Sequence, residues 1–168
     1  NTLATGAILV VIITIFAAVS GAHFNPAVSL VMMIRGELDR RDAILCMLVQ
    51  IIGGCLGALF AHLMFGLEPI RLATKARSGL PQWFAEFVAT FGLLITILGC
   101  IRFRPDAIAF AVGLYITSAY WFTASTSFAN PAVTIGRSLS DTFAGIAPSD
   151  VPGFIVAQIL GALAAGVL

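Results

Sequence analysis

Charged residues are scarce in this sequence. Nine Lys or Arg and eight Asp or Glu make up 10% of its 168 residues, whereas an average soluble domain has roughly 25% charged residues. A net charge of +1 without any long basic run argues against a nucleic-acid partner. Cysteine is also rare, and all three cysteines lie inside apolar runs, where free thiols behave as small hydrophobic groups. The composition therefore excludes an ordinary soluble domain and a disulfide-stabilised one.

Long stretches without any charge are the main positive feature. They cover residues 1–34, 43–67, 107–136 and 151–168, and Glu86 alone interrupts residues 78–101. A membrane-spanning helix needs about 20 apolar residues, so at least five spans fit. The first run has no basic segment or cleavage motif before it, which predicts a mature helix rather than a signal peptide. We expect an all-α, multi-pass membrane protein that has the lipid bilayer as its partner.

The four residues Asn-Pro-Ala-Val occur twice, at 25–28 and at 130–133. Proline disfavours helical geometry in the residue before it but fits the first position of a new helix. The first uncharged run should therefore break, with one helix ending near Val19 and another running from Pro26 to Arg35. Ten residues span roughly 15 Å, about half of the hydrocarbon thickness. Each copy of the motif thus predicts a half-helix, the second from Pro131 to about Leu139.

The repetition extends beyond the motif. Gln50 matches Gln158 at an offset of 108, close to the offset of 105 between Asn25 and Asn130. Full helices are predicted at about 43–65, 81–101, 107–123 and 151–168. We interpret residues 1–168 as a single membrane channel domain, with a first repeat at 1–65 and a second at 81–168. Three crossings per repeat invert the second copy, so the two half-helices should meet at mid-membrane.

The helix at 81–101 has no counterpart in the first repeat. Glu86 precedes Asn130 by 44 residues, so its equivalent would lie about 19 residues before Asn1. We therefore expect that this chain lacks the first helix of its fold.

Two broken helices that face each other predict a pore. Non-helical backbone at membrane depth is tolerated where protein buries it or where it lines a wet cavity. The positive ends of both half-helices would then point at the bilayer centre and repel cations. Asn25 and Asn130 could each donate an amide hydrogen to a passing oxygen. The alternative is that each asparagine only caps its half-helix.

The segment from Ser20 to Val28, the second Asn-Pro-Ala and the segment from Ala85 to Gly92 resemble the major intrinsic protein family, the aquaporins and aquaglyceroporins. The resemblance implies a homotetramer with one pore per subunit, which passes water or small neutral solutes through a plasma membrane, here of bacterial type. It assigns the pore centre to both triplets, namely Asn25, Pro26 and Ala27 with Asn130, Pro131 and Ala132. It also implies scaffolding roles for Glu86, which would hold loop amides, and for His23.

Selectivity in that family depends on a second constriction of four residues. Counted without gaps from the motifs, they are Thr5, Ser118, Ser127 and Val133. The family usually has arginine at the last position and aromatic or His residues among the others. Their absence predicts a wide filter for glycerol and metalloid hydroxides such as arsenite, antimonite and methylated arsenicals, similar to the arsenic-associated bacterial aquaglyceroporins. An error in the count would instead turn Tyr120 or Phe128 into the pore and narrow it.

Three other functions remain open at this stage. One is a water-selective channel, and another is a secondary transporter, because broken helices in inverted repeats also build those. A transporter would need a coupling charge at mid-membrane, for which Glu86 is the candidate. The third is a structural membrane protein with a closed pore. We predict no enzymatic activity, cofactor or metal, since the sequence has no Ser-His-Asp set, phosphate loop or metal-ligand cluster.

Overall fold

The structure, a computed structural model, describes residues 2–168 and is built from helices. Its elements are α1 Thr2–Ser20, α2 Pro26–Ile34, α3 Arg40–Met64, α4 Leu80–Phe103, α5 Ile108–Phe122, α6 Pro131–Ser138 and α7 Val151–Gly166, with short 3₁₀ turns at Pro105–Ala107 and Pro148–Asp150. Every predicted helix is present, and each boundary lies within three residues of the prediction. The all-α fold with two half-helices is confirmed.

Four helical segments are long and apolar enough to cross a membrane. They are Thr2–Ser20, Arg40–Met64, Leu80–Phe103 and Pro148–Gly166. The fifth predicted span, α5, has 15 helical residues and continues from the 3₁₀ turn before it. Large apolar side chains are exposed along α1 and α3, among them Ile8, Ile15, Leu48 and Val49. Such a surface suits a hydrocarbon solvent, where every backbone polar group is satisfied inside a helix.

Both half-helices begin by the same local rule. Asn25 is extended, with φ −154° and ψ 119°, and its side chain accepts a hydrogen bond from the backbone N–H of Ala27. Asn130 is extended in the same way, with φ −160° and ψ 115°, and accepts from Ala132 and Val133. Proline then occupies the first helical turn, where its missing N–H costs nothing. The Asn-Pro pair therefore ends one segment and starts a helix.

Small residues allow several pairs of helices to cross closely. Helices α1 and α5 pack together, as do α4 and α7, and α3 and α6. A Cβ on Gly6 of α1 would lie 2.7 Å from the carbonyl oxygen of Gly113 on α5, and one on Gly54 of α3 would lie 2.9 Å from that of Ala132. Glycine is needed at these crossings because backbones that approach so closely leave no room for a side chain.

Candidate functional site: a pore between two half-helices

The loops before the two half-helices have matching, strained backbones. Left-handed φ angles occur at three pairs of positions separated by 105 residues: Gly21 (73°) and Thr126 (64°), Ala22 (50°) and Ser127 (48°), and Phe24 (48°) and Ala129 (48°). Non-glycine residues rarely adopt such angles, and only surrounding structure keeps them there. The repeat in the sequence is thus also a repeat in the backbone.

The two motif asparagines cross-link the loops at the centre. The Nδ2 of Asn25 donates to the carbonyl of Ala129 at 2.7 Å, and the Nδ2 of Asn130 donates to the carbonyl of Phe24 at 2.8 Å. Each Oδ1 meanwhile caps its own half-helix. An amide nitrogen carries two hydrogens, so each asparagine retains one for a solute in the cavity that both line. Capping and donation to a solute are therefore compatible.

Glu86 supports the second loop. Its carboxylate is fully buried and accepts the backbone N–H groups of Phe128 and Ala129, each at 2.8 Å. It also accepts the Nε2 of Gln158 at 2.7 Å, and the same nitrogen donates to Thr134 at 2.8 Å. These bonds hold the loop and the half-helix that follows it in one position.

The first loop has a different support. The Nδ1 of His23 lies 3.2 Å from the hydroxyl of Ser29, which also accepts the Nε2 of Gln50 at 3.0 Å. The pairs Ser29 and Thr134, and Gln50 and Gln158, occupy matching places in the two repeats. His23 thus contributes a hydrogen bond within the loop and lines the cavity as well.

A cavity of about 570 Å³ passes both asparagines. At one end it is lined by Glu37 and Asp106, which we name the acidic mouth, and at the other by Thr5, Tyr120 and Arg137, which we name the arginine mouth. Most of the wall between the mouths is apolar: Leu9, Ile13, Val28, Leu93, Val112 and Ile116. A minority of polar groups therefore lines an otherwise hydrophobic passage.

Three of the four predicted filter residues, Thr5, Ser127 and Val133, line this cavity. Ser118 does not. Its side chain is exposed on the outer face of α5 and donates to the carbonyl of Leu114 at 2.7 Å. Tyr120 lies in the mouth instead, and two residues rotate a helix by about 200°, to the opposite face. The gap-free count was wrong at this position.

The prediction missed one arginine, whereas Tyr120 and Phe128 were its stated alternative. Arg137, Tyr120 and Phe128 all line the cavity, so an arginine and two aromatic side chains border the passage, although none of them occupies the four counted positions. Helical spacing could have found two of them. Arg137 follows Val133 by four residues on the same face of α6, and Tyr120 continues the apolar cavity face of α5 from Val112 and Ile116.

A second cavity, of about 240 Å³, adjoins the arginine mouth. It shares Thr5, Tyr120 and Arg137 with the first and is otherwise lined by Ala4, Phe143 and Ala144. The three shared side chains therefore lie where the two cavities adjoin.

Comparison with known proteins agrees with this architecture. The model of the family described as "Major intrinsic protein" matches residues 1–106. The chain belongs to the major intrinsic protein family. Its relatives within that family carry more than one name.

Curated relatives include both aquaglyceroporins and aquaporins by name. The chain is 57% identical to "Aquaglyceroporin AqpS" of Rhizobium meliloti over 165 residues, which cover 98% of this chain and 71% of that protein. It is 33% identical to "Aquaporin TIP1-2" of Musa acuminata, covering 82% of this chain and 58% of the relative. It is 30% identical to the "Aquaglyceroporin" of Toxoplasma gondii, covering 86% and 56%. The chain thus spans a little over half to about seven tenths of these relatives.

A solved member of the family has the same fold. The X-ray structure of the aquaglyceroporin from Plasmodium falciparum superposes with a TM-score of 0.77 at 21% sequence identity, covering 99% of this chain and 78% of that one. Major intrinsic proteins are multi-pass membrane proteins, and the apolar helices described above agree with that location.

Proposed function

We propose that this protein is a passive membrane channel for water and small uncharged solutes of about the size of glycerol. The observation that carries the proposal is the single cavity that passes both motif asparagines from the acidic mouth to the arginine mouth. The passage combines hydrogen-bonding groups with apolar side chains in its wall. A polyol suits both, since its hydroxyls can face the polar groups while its carbon chain lies against the apolar ones.

The distribution of charge in the cavity favours passive flow. Among residues 2–168, the Asp, Glu, Lys and Arg side chains that line the cavity are Glu37, Asp106 and Arg137, at the mouths. Glu86, the candidate for a coupling charge, has both carboxylate oxygens engaged by loop amides and Gln158. The centre instead has two half-helix N-termini, whose dipoles disfavour cations. A secondary transporter is therefore not proposed.

Metalloid hydroxides belong to the same substrate class. Arsenous acid is uncharged at neutral pH and presents three hydroxyls, as glycerol does, and its methylated forms add an apolar side. Ser127 is 2% exposed, and its hydroxyl has no partner within residues 2–168, so it is available to a solute. Val133 offers an apolar contact beside it. We include arsenite, antimonite and methylated arsenicals among the proposed solutes on this chemistry.

A water-selective channel is the second candidate. It is favoured by Tyr120 and Arg137, which together with Thr5 lie where the two cavities adjoin and narrow the route. The two candidates differ in whether glycerol can pass these three side chains.

Stopped-flow measurements on proteoliposomes test the proposal. We expect water, glycerol and arsenous acid to cross faster than through protein-free liposomes. The matched control is Asn130→Asp, which keeps side-chain size but puts a carboxylate at the pore centre in place of an N–H donor, and should reduce all three fluxes. Water flux without glycerol or arsenite flux would support the second candidate, and no flux of any kind would contradict both.

The proposal includes a homotetramer, as the family resemblance implies. The exposed apolar faces of α1 and α3 suit contact with lipid, with a further helix or with neighbouring subunits. Native mass spectrometry from detergent micelles should give a mass of four chains, and a monomer as the main species would contradict this part of the proposal.

A further inference from the structure

Arg137 occupies the arginine mouth from an unexpected position in the sequence. It lies in the last turn of α6, seven residues after Asn130 and four after Val133. Four residues make slightly more than one helical turn, so Arg137 and Val133 share a face. Both line the main cavity, and Arg137 also lines the second one. A guanidinium thus reaches the mouth although the position directly after the triplet is valine.

Aromatic groups hold this guanidinium in place. Its Nη2 donates to the hydroxyl of Tyr120 at 2.6 Å. Its Cζ lies 4.3 Å from the ring centroid of Phe128 and 5.7 Å from that of Tyr120, both within the range of cation–π attraction. Among residues 2–168 the described salt bridges are Arg35–Glu37 and Arg104–Asp106, so no carboxylate neutralises Arg137. Its positive charge therefore remains effective at the mouth.

One buried nitrogen of Arg137 is left without a partner in the described part of the chain. Its Nη1 is buried and has no hydrogen-bond partner among residues 2–168. A buried donor without an acceptor is unfavourable, and more so on a charged group. Since the side chain lines the cavity, a water or solute oxygen in the passage is an available acceptor. Ser127, with an unpartnered hydroxyl of its own, lines the same cavity.

Arg77, at the same end of the molecule, is an arginine with a purely structural role. Its Cζ lies 4.9 Å from the centroid of the same Phe128 ring. Its guanidinium donates to the carbonyl groups of Gly145, Ser125 and Phe143 at 2.7 to 3.1 Å. Its hydrogen bonds tie loops together, and it does not line either cavity. Arg137 differs from Arg77 because it lines both cavities and because one of its guanidinium nitrogens has no partner among residues 2–168.

We propose that Arg137, oriented by Tyr120, is the selectivity arginine of this channel, placed one helical turn beyond the position that Val133 occupies. Its free N–H donates to the oxygen of an uncharged solute, and its charge repels cations where the two cavities adjoin. With Thr5 and Tyr120 it limits the size of solute that passes. This inference rests on the proposed channel function and identifies the residue that sets its specificity.

The test compares variants in proteoliposomes by two ratios of permeability, glycerol to water and xylitol to glycerol, and by cation leak. Arg137→Gln should raise the xylitol-to-glycerol ratio several-fold and admit Na⁺ or protons, read with an entrapped dye. Arg137→Lys keeps the charge but not the planar fork of donors, so it should exclude cations while its solute ratios shift. Arg71→Gln removes an exposed arginine of the 66–79 loop and should change nothing.

A purely structural role would give a different pattern. In that case Arg137→Gln would lower all fluxes in proportion, with unchanged ratios and no cation leak, and the inference would be overturned. If Arg137→Gln does not reconstitute, Tyr120→Phe replaces it, because it removes one hydroxyl and leaves the arginine. It should shift the solute ratios in the same direction but less, and unchanged ratios would count against the proposal.

Failure of the channel proposal gives a separate signal. Wild-type protein that conducts water but no glycerol would overturn the solute-channel assignment. A cation leak that appears in Arg137→Gln but not in wild type would still support the role of Arg137 in that case, and its absence would contradict it.

Discussion

The two half-helices share a backbone and differ in what surrounds them. Both begin after an extended asparagine, follow loops with the same left-handed angles and exchange hydrogen bonds across the centre. At their far ends the side chains diverge. Arg137 of α6 corresponds to Met32 of α2 at the offset of 105, and both line the cavity. The duplicated backbone therefore forms a symmetric centre. The side chains give one mouth an arginine without a carboxylate partner and the other mouth two carboxylates that are paired with Arg35 and Arg104.

The supports of the two loops differ as well. A buried carboxylate, that of Glu86, holds the second loop by two backbone N–H groups, whereas His23 and Gln50 support the first through the hydroxyl of Ser29. Hydrogen bonds to charged groups are stronger than those between neutral groups. Among residues 2–168, the second loop therefore has charge-assisted bonds to a carboxylate and the first loop does not.

The largest expected effect is that of Glu86→Ala. It leaves two buried N–H groups and Gln158 without their acceptor, and each such loss costs about 1–3 kcal/mol. We expect a large drop in the thermal unfolding temperature in detergent and loss of water flux. Glu68→Ala, in an exposed loop, is the control and should have little effect. His23→Ala should lower the unfolding temperature less, since the described bond of His23 is a single contact at 3.2 Å. An equal decrease in both variants would contradict the difference between the two loops.

Gly54→Ala should have the next largest effect. The new Cβ would lie 2.9 Å from the carbonyl oxygen of Ala132, in the second triplet, and overpacking of this kind costs about 1–3 kcal/mol. Gly166→Ala is the corresponding change against the first half-helix. Its Cβ would meet the side chain of Val31 at 3.1 Å, which can move, so the loss should be smaller. Gly53→Ala meets nothing within 4 Å and serves as the control. Unfolding temperatures in the order Gly53→Ala, Gly166→Ala, Gly54→Ala, from highest to lowest, would agree with the structure.

Val133→Arg sharpens the contrast between the two mouths. It places a second guanidinium one turn from Arg137 and narrows the passage. A barrier increase of roughly 1.4 kcal/mol would lower glycerol flux about tenfold, with water flux less affected. Val133→Met introduces a long side chain without charge. Comparing its glycerol flux with that of Val133→Arg separates the effect of side-chain size from the effect of charge. Unchanged glycerol flux in Val133→Arg would contradict the assignment of Val133 to the filter.

The smallest expected effect concerns acid sensitivity of the loops. At the arginine end, Asp141 accepts hydrogen bonds from the backbone N–H and the hydroxyl of Thr74, both at 3.0 Å, and these bonds lower the pKa of its carboxyl. A lowered pKa means that the ionised form stabilises the fold above the ordinary carboxyl pKa. That stability is lost as pH falls through the lowered value.

The acidic end should lack this sensitivity. The pKa of Asp106 is lowered chiefly by a hydrogen bond from Arg104, two residues away. Such a local pair also forms in the unfolded chain, so the folded and unfolded pKa values differ little and stability depends little on this group. Unfolding temperatures measured from pH 6 down to pH 3 should fall slightly less steeply for Asp141→Asn than for wild type. Asp106→Asn should follow the wild-type curve. An equal change in both variants would contradict the expected difference in acid sensitivity between Asp141 and Asp106.

Much of the fold could be predicted because its signals are local. Charge-free runs give the spans, and the Asn-Pro steric rule gives the starts of both half-helices. Thr5, Ser127 and Val133 were placed in the cavity by counting from the motifs, since the loop and half-helix around each motif repeat closely. Ser118 was misplaced because a count along α5 carries no information about which side of the helix faces the cavity.

The sequence by itself determined the number of helices, their breaks and the internal repeat, since each follows from the hydropathy or sterics of neighbouring residues. Only the tertiary structure decided how each helix is rotated about its axis. The close crossing of α1 and α5 at Gly6 and Gly113 sets which face of α5 looks inward. That rotation turns Tyr120 into the mouth and Ser118 away from it. It also brings the Tyr120 hydroxyl within 2.6 Å of Arg137, a contact between residues of two helices that no periodicity within either one encodes.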